Sequence, residues 1–269
     1  MGQKIMNGSA NIDFRTSQSY AIGSGRNLAA QAGTLNFQAA RNLILGRLNV
    51  SVDQPVNAIN GELTVLTVQG ASILCSDQPC AIRGFHTSLQ MDENFIGVPI
   101  PTSGVAQLQY ANVLPGPGGA AVSATIYADP WTDSLGNVPS PDEAGASALN
   151  FAYGLSKVTI ANGATATITG TALRACVLGR LYLEAFDNAA VNYAGESGML
   201  VTSILINNTE QLGSQTNAGV SFNSFTLDAL SSMANLNQFV PMNANVSVTV
   251  QNNSGNAQIV HGHFFCNAS

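Results

Sequence analysis

The stretch Arg41-Asn-Leu-Ile-Leu-Gly-Arg-Leu48 returns as Arg174-Ala-Cys-Val-Leu-Gly-Arg-Leu181, with five of eight positions identical at an offset of 133 residues. The flanks echo in the same order. Leu66-Thr-Val-Gln-Gly-Ala-Ser-Ile-Leu74 aligns with Ile204-Leu-Ile-Asn-Asn-Thr-Glu-Gln-Leu212, an apolar triplet, a polar turn and a closing Leu. Phe95-Ile-Gly-Val-Pro99 aligns with Gln238-Phe-Val-Pro241, and each is followed by a short turn and an alternating strand. The offset grows along the chain, as it does when loops lengthen while strands hold. This pattern predicts two copies of one unit, and it constrains the fold more than any other feature of the chain.

Between and around these matches the texture is that of strands. Short alternating or β-branched runs are separated by Gly, Pro and Asn turn signals, and Gln107-Leu-Gln-Tyr110 and Val246-Ser-Val-Thr-Val250 are the clearest. Two segments break the pattern. Thr226 to Gln238 places Leu227, Leu230, Met233 and Leu236 on one helical face, with Thr226 at the N-cap position. Thr87 to Asn94 is a weaker helix signal at the corresponding place in the first copy. The expectation is an all-β chain of two tandem eight-stranded sandwiches of jelly-roll type, each with a short helix. The boundaries are an N-terminal arm over 1–33, a first roll over 34–128, a linker over 129–158 and a second roll over 159–269.

A chain of 269 residues is long enough for two such units, each burying its own core. Charged residues are only 9% and hydrophobic residues 45%, where about 25% charge is usual. So little surface charge points to a protein covered by neighbours, unless Asn, Ser, Thr, Gln and Gly supply the polarity. The net charge of −6, with no Lys or Arg after Arg180, argues against direct sequence-specific nucleic-acid binding by the folded body. Lys4, Arg15 and Arg26 make the arm mildly basic. The N-terminus lacks the apolar run of a secretory signal, and no apolar stretch reaches the length of a membrane span. Synthesis in the host cytoplasm without secretion is the expectation.

Two sandwiches in tandem, each with a helix late in the unit, resemble the double jelly-roll major capsid proteins of tailless, icosahedral, internal-membrane viruses, bacteriophages among them. The resemblance covers about residues 34–269 and rests on architecture and duplication rather than on a signature motif. It implies a virion structural protein without enzymatic activity. Three chains would form a pseudo-hexagonal capsomer that meets neighbouring capsomers. The arm would order against the shell's inner side, an internal membrane, a minor capsid protein or a neighbouring chain. The alternative from another class is a two-domain carbohydrate-binding or adhesion protein, for which an exposed aromatic cluster would be the sign. Trp131, the only Trp, sits in the linker.

The chemistry-bearing residues are few, and no catalytic set or cofactor motif appears. Arg47 and Arg180 interrupt apolar strands at matching places. They serve either a polar cluster inside each roll, with Arg41 and Arg174, or a wet strand face. Gly46 and Gly179 mark a bulge or a close backbone approach. Asp129, Asp133, Asp142 and Glu143, with Asn137 between, are candidates to gather around calcium. Their spacing lacks the Asp-x-Asp-x-Asp-Gly order of a calcium loop, and a solvated acidic loop is the expectation. Of three histidines, His261 and His263 alternate on the last strand and would share a face, half of a cupin-type metal site that lacks its downstream ligands. Cys75, Cys80, Cys176 and Cys266 have no paired zinc-ligand spacing. Cys75 and Cys80 either close a small disulfide loop or remain buried thiols.

Overall fold

The structure, a computed structural model, describes residues 4–7, 10–13, 20–28, 32–52, 61–85, 95–112, 121–130, 151–187, 198–212, 219–226 and 236–267. The protein is all-β, built of antiparallel sheets. The alternation in the sequence is the direct cause. In the strand Val105–Ala111, Ala106, Leu108 and Tyr110 point into the core while Gln107 and Gln109 are half-buried between them. In Asn245–Asn252, Val246, Val248 and Val250 do the same.

The N-terminal half contains β1 (Lys4–Asn7), β2 (Ala10–Asp13), β3 (Tyr20–Leu28), β4 (Gly33–Gln38), β5 (Leu43–Val52), β6 (Glu62–Val68), β7 (Ala71–Ser72), β8 (Cys80–Ala81), β9 (Phe95–Ile100), β10 (Val105–Ala111) and β11 (Ala121–Pro130). The C-terminal half contains β12 (Ala152–Ile160), β13 (Thr165–Thr171), β14 (Cys176–Asp187), β15 (Met199–Ile206), β16 (Thr209–Glu210), β17 (Val220–Ser221), β18 (Gln238–Val240), β19 (Asn245–Asn252) and β20 (Gln258–Asn267). In the first half the sheets run β3-β11-β5-β9 and β4-β10-β6-β7, with β8 also on β6. In the second they run β12-β20-β14-β18 and β13-β19-β15-β16, with β17 also on β15. The β1–β2 pair forms a two-stranded sheet of its own.

The expected arm therefore contains ordered strand. Tyr20–Leu28 pairs along its length with Ala121–Ala128 and forms an edge of the first sheet. Its Gly, Ser and Asn content hid it, because such residues lower strand propensity while backbone pairing does not depend on them. The linker is likewise shorter than expected: Asp129 and Pro130 complete β11, and Ala152 opens β12. The two expected helices, 87–94 and most of 226–238, fall outside the described residues. Just before each stands a single 3-10 turn, Ile82–Phe85 and Phe222–Phe225, in stretches that read as strand.

Two turns correspond closely between the halves. β6 and β7 are joined by Gln69-Gly70, and β15 and β16 by Asn207-Asn208, all four at positive φ. This is the two-residue turn whose twist matches that of paired strands. The turn before β10 closes with Gly104 N–H donating to Pro101 O, and the turn before β19 with Ala244 N–H donating to Pro241 O. Ser103 and Asn243 each take a positive φ there. Pro241 thus corresponds to Pro101, not to Pro99 as the Val-Pro match suggested. Strand pairing agrees, because Leu43 faces Ile100 and Cys176 faces Val240.

Gly46 and Gly179 sit at irregularities in strand register. Pairing of β5 shifts between Leu45 and Arg47, and pairing of β14 shifts between Leu178 and Leu181. Each glycine thus stands where the strand ladder is irregular.

Candidate functional site

The chemistry-bearing side chains gather along the buried seam between the two halves. Segment 73–77 of the first half runs between the start of β12 and the end of β13. Cys75 N–H donates to Ala152 O at 2.8 Å, Leu173 N–H to Cys75 O at 2.8 Å, and Asp77 N–H to Thr171 O at 3.0 Å. The Ser76 hydroxyl, buried, donates to Gly154 O at 2.9 Å. Gly154 permits this approach, since a Cβ there would lie 2.2 Å from Gln78 O and 2.3 Å from Pro79 O. The Lys157 ammonium in β12 meets the Glu62 carboxylate in β6 at 2.6 Å. The cores interlock as well: Tyr182 and Phe265 join the first core, and Cys75 joins the second.

β14 explains why the seam is polar. From Leu181 to Phe186 every residue is buried, which requires cover on both faces. Leu181, Leu183 and Ala185 face the second core. Tyr182, Glu184 and Phe186 alternate with them and lie on the opposite face. There Tyr182 is opposite His263 and Glu184 opposite His261 in the pairing with β20. The Tyr182 hydroxyl donates to the Glu184 carboxylate at 3.1 Å. His261 Nδ1 stands 3.8 Å from Glu184 Oε1, beyond hydrogen-bond reach, and its Nε2 lies 3.4 Å from Pro79 O. His263 stacks on Phe85 with ring centroids 4.7 Å apart and planes 8° apart.

Both imidazoles are held neutral. Burial first, then the Lys157 charge, lowers His261 to about 4 against the opposing pull of Glu62. Burial, then His261, lowers His263 well below its ordinary value. The two rings do share a face, as their spacing predicts. His263 is enclosed by Phe85, Tyr182 and Phe265, and both rings are fully buried.

The second cluster is one of thiols. All four cysteines are buried thiols outside any disulfide, and Cys75 is not joined to Cys80. Instead Cys75, Cys176 and Cys266 bring their sulfurs within 4.8 Å of one another. Cys75 lies on the inserted segment, Cys176 opens β14, and Cys266 lies near the end of β20. The Cys266 thiol donates to Cys75 Sγ at 3.6 Å. Cys75 is held well below its ordinary thiol value by bonds from Cys176 and then Cys266, while burial pushes Cys266 well up. Arg174 contributes a favourable positive field to Cys75 and Cys176. No local spacing in the sequence could have revealed this set, because its members stand about a hundred residues apart.

The other expected site residues are dispersed. Arg41 is exposed, and Arg174 and Arg180 are half-buried. The side chains of Arg47 and Asp129 fall outside the described residues, as do Asp133, Asp142 and Glu143 altogether. No helix among the described residues is long and apolar enough to cross a membrane. The chain matches no protein-family model and no curated protein.

Proposed function

We propose that the chain is a viral structural protein: two tandem jelly rolls arising from duplication, which trimerise into the pseudo-hexagonal capsomers of an icosahedral shell. The observation that carries this reading is strand order. Counted from β3 in the first half, with the separate β1–β2 pair set aside, and from β12 in the second, the strands run first-eighth-third-sixth in one sheet and second-seventh-fourth-fifth in the other, the order a jelly roll requires, when β7 with β8 and β16 with β17 are each taken as the fifth. The equivalent turns before β10 and β19 follow the same correspondence.

A second observation supports association. Leu173, Phe239 and Met242 are 55%, 63% and 60% exposed. The backbone brings them towards one end of the second half: Ala172, next to Leu173, exchanges hydrogen bonds with Asn243 and Ala244, and Phe239 stands on the sheet-edge strand β18. Large apolar side chains in such a place, on a chain with 9% charged residues, suit a surface that neighbouring subunits cover.

Light scattering combined with negative-stain imaging of the purified chain tests the proposal. Trimers with a six-lobed outline, or closed shells, are the expected result. A monodisperse monomer at micromolar concentration would refute it and favour a two-domain binding module. Deletion of residues 1–18, which spares β3, is expected to weaken shell assembly and leave the trimer intact.

A further inference from the structure

Three thiols converging in a buried interior, from three separated segments, are more than a packing arrangement requires. A lone buried cysteine behaves as a small apolar side chain. Here Cys75, Cys176 and Cys266 are each buried, and their sulfurs lie mutually within 4.8 Å. Sulfurs bound to one ion at about 2.3 Å stand roughly 3.8 to 4.0 Å apart, for tetrahedral or planar angles. The Cys75–Cys266 separation of 3.6 Å lies a few tenths of an ångström below this, and bringing all three sulfurs, now within 4.8 Å of one another, to that spacing needs changes of under about 1 Å by the same geometry.

We propose that Cys75, Cys176 and Cys266 form a trigonal three-thiolate site for a soft monovalent d10 cation of the copper(I) class. Three ligands among the described residues suit a three-coordinate ion better than zinc. A structural zinc ion takes four ligands, and among the described residues no further His, Cys, Asp or Glu joins these three. All-sulfur donation in a water-excluded pocket selects a soft ion. Binding releases the thiol protons.

The site would act as a staple. Cys75 belongs to the segment that the first half inserts into the second, whereas Cys176 and Cys266 belong to the second half's own sheet. An ion held by all three ties the insertion in place, so its binding free energy adds to the docking of the halves. Burial means that loading accompanies folding. The inference does not depend on the capsid reading.

The test is to refold the full chain without oxygen, with a phosphine reductant and copper(I) supplied as its acetonitrile complex, and then to desalt it. One copper per chain is expected, with an X-ray absorption spectrum showing about three sulfur neighbours and a rise in Tm on the order of 10 °C. The spectrum is measured on the unaltered protein, so it does not depend on a variant folding. Cys176→Ser should lose the copper, and Cys80→Ser, which changes a buried thiol outside the cluster, should keep it. Copper lost on desalting, a shell of nitrogen or oxygen, or equal retention by the Cys75→Ser, Cys176→Ser, Cys266→Ser triple variant would overturn the proposal. So would stoichiometric zinc in place of copper when both are offered, or a Cys75–Cys266 disulfide in anaerobically prepared protein.

Discussion

The imidazole of His263 lies flat against the ring of Phe85, joining the last strand of the second half to the 3-10 turn of the first. The contact suits an uncharged ring. A charge here would be desolvated, with His261 beside it on the same strand and Tyr182 and Glu184 facing from β14.

Acid is expected to loosen the protein through this pair. Both folded-state values lie below the ordinary 6.5, His261 at about 4 and His263 lower than usual. Below pH 6.5 the unfolded chain therefore binds more protons than the folded one. The stabilisation is fully present above 6.5 and is lost as pH falls towards 4, at up to about 1.4 kcal/mol per pH unit for each ring. Thermal melts between pH 7.5 and 4 check this. His263→Phe, which keeps an aromatic ring against Phe85, should flatten the acid limb; an unchanged limb would exclude His263 as a contributor.

Gly154→Ala is expected to disturb the docking of the halves. The new methyl would meet the backbone oxygens of Gln78 and Pro79, neither of which is the end of a flexible side chain. Overpacking of this kind costs about 1–3 kcal/mol. Denaturant unfolding should show a lower midpoint, and hydrogen exchange should show faster opening at Cys75 and Asp77. Wild-type protection at both amides would disprove the assignment.

Gln69→Asn should stabilise the protein. Gln69 occupies a positive-φ turn position with Gly70 after it, and Asn-Gly is the favoured pair for such a turn. A gain of about 0.5 kcal/mol in chemical denaturation is expected. Because the second half places Asn at both corresponding positions, Asn207→Gln should lower stability by a comparable amount.

For the proposed trimer, Phe239→Asp combined with Met242→Asp is expected to leave the fold intact and shift the oligomer towards monomer. Both side chains are largely exposed, so their loss removes little from the core. Sedimentation velocity reads the oligomer, and far-UV circular dichroism checks the fold. An unaltered trimer would place the contact elsewhere on the surface.

Local pattern determined a good deal of this protein. The alternation in Gln107–Tyr110 and Val246–Val250, the turn residues at 69–70 and 207–208, and the Leu-Gly-Arg-Leu echo are all short-range features. Strand pairing followed them, because side-chain direction alternates along a strand whatever the distant chain does. Even Gly46 and Gly179 could be recognised as irregular points within strands.

Tertiary structure alone decided what lies on the seam. Nothing local distinguishes Tyr182 and Glu184 from residues on a wet strand face; they are buried because the first half covers them. The strand Tyr20–Leu28 forms because β11 supplies its hydrogen bonds, although its sequence is that of a flexible arm. Cys75, Cys176 and Cys266 meet only when segment 73–77 is inserted between β12 and the end of β13. Periodicity records which way a side chain points within its own strand. Which surface comes to lie against it depends on the burial and backbone pairing of the whole chain.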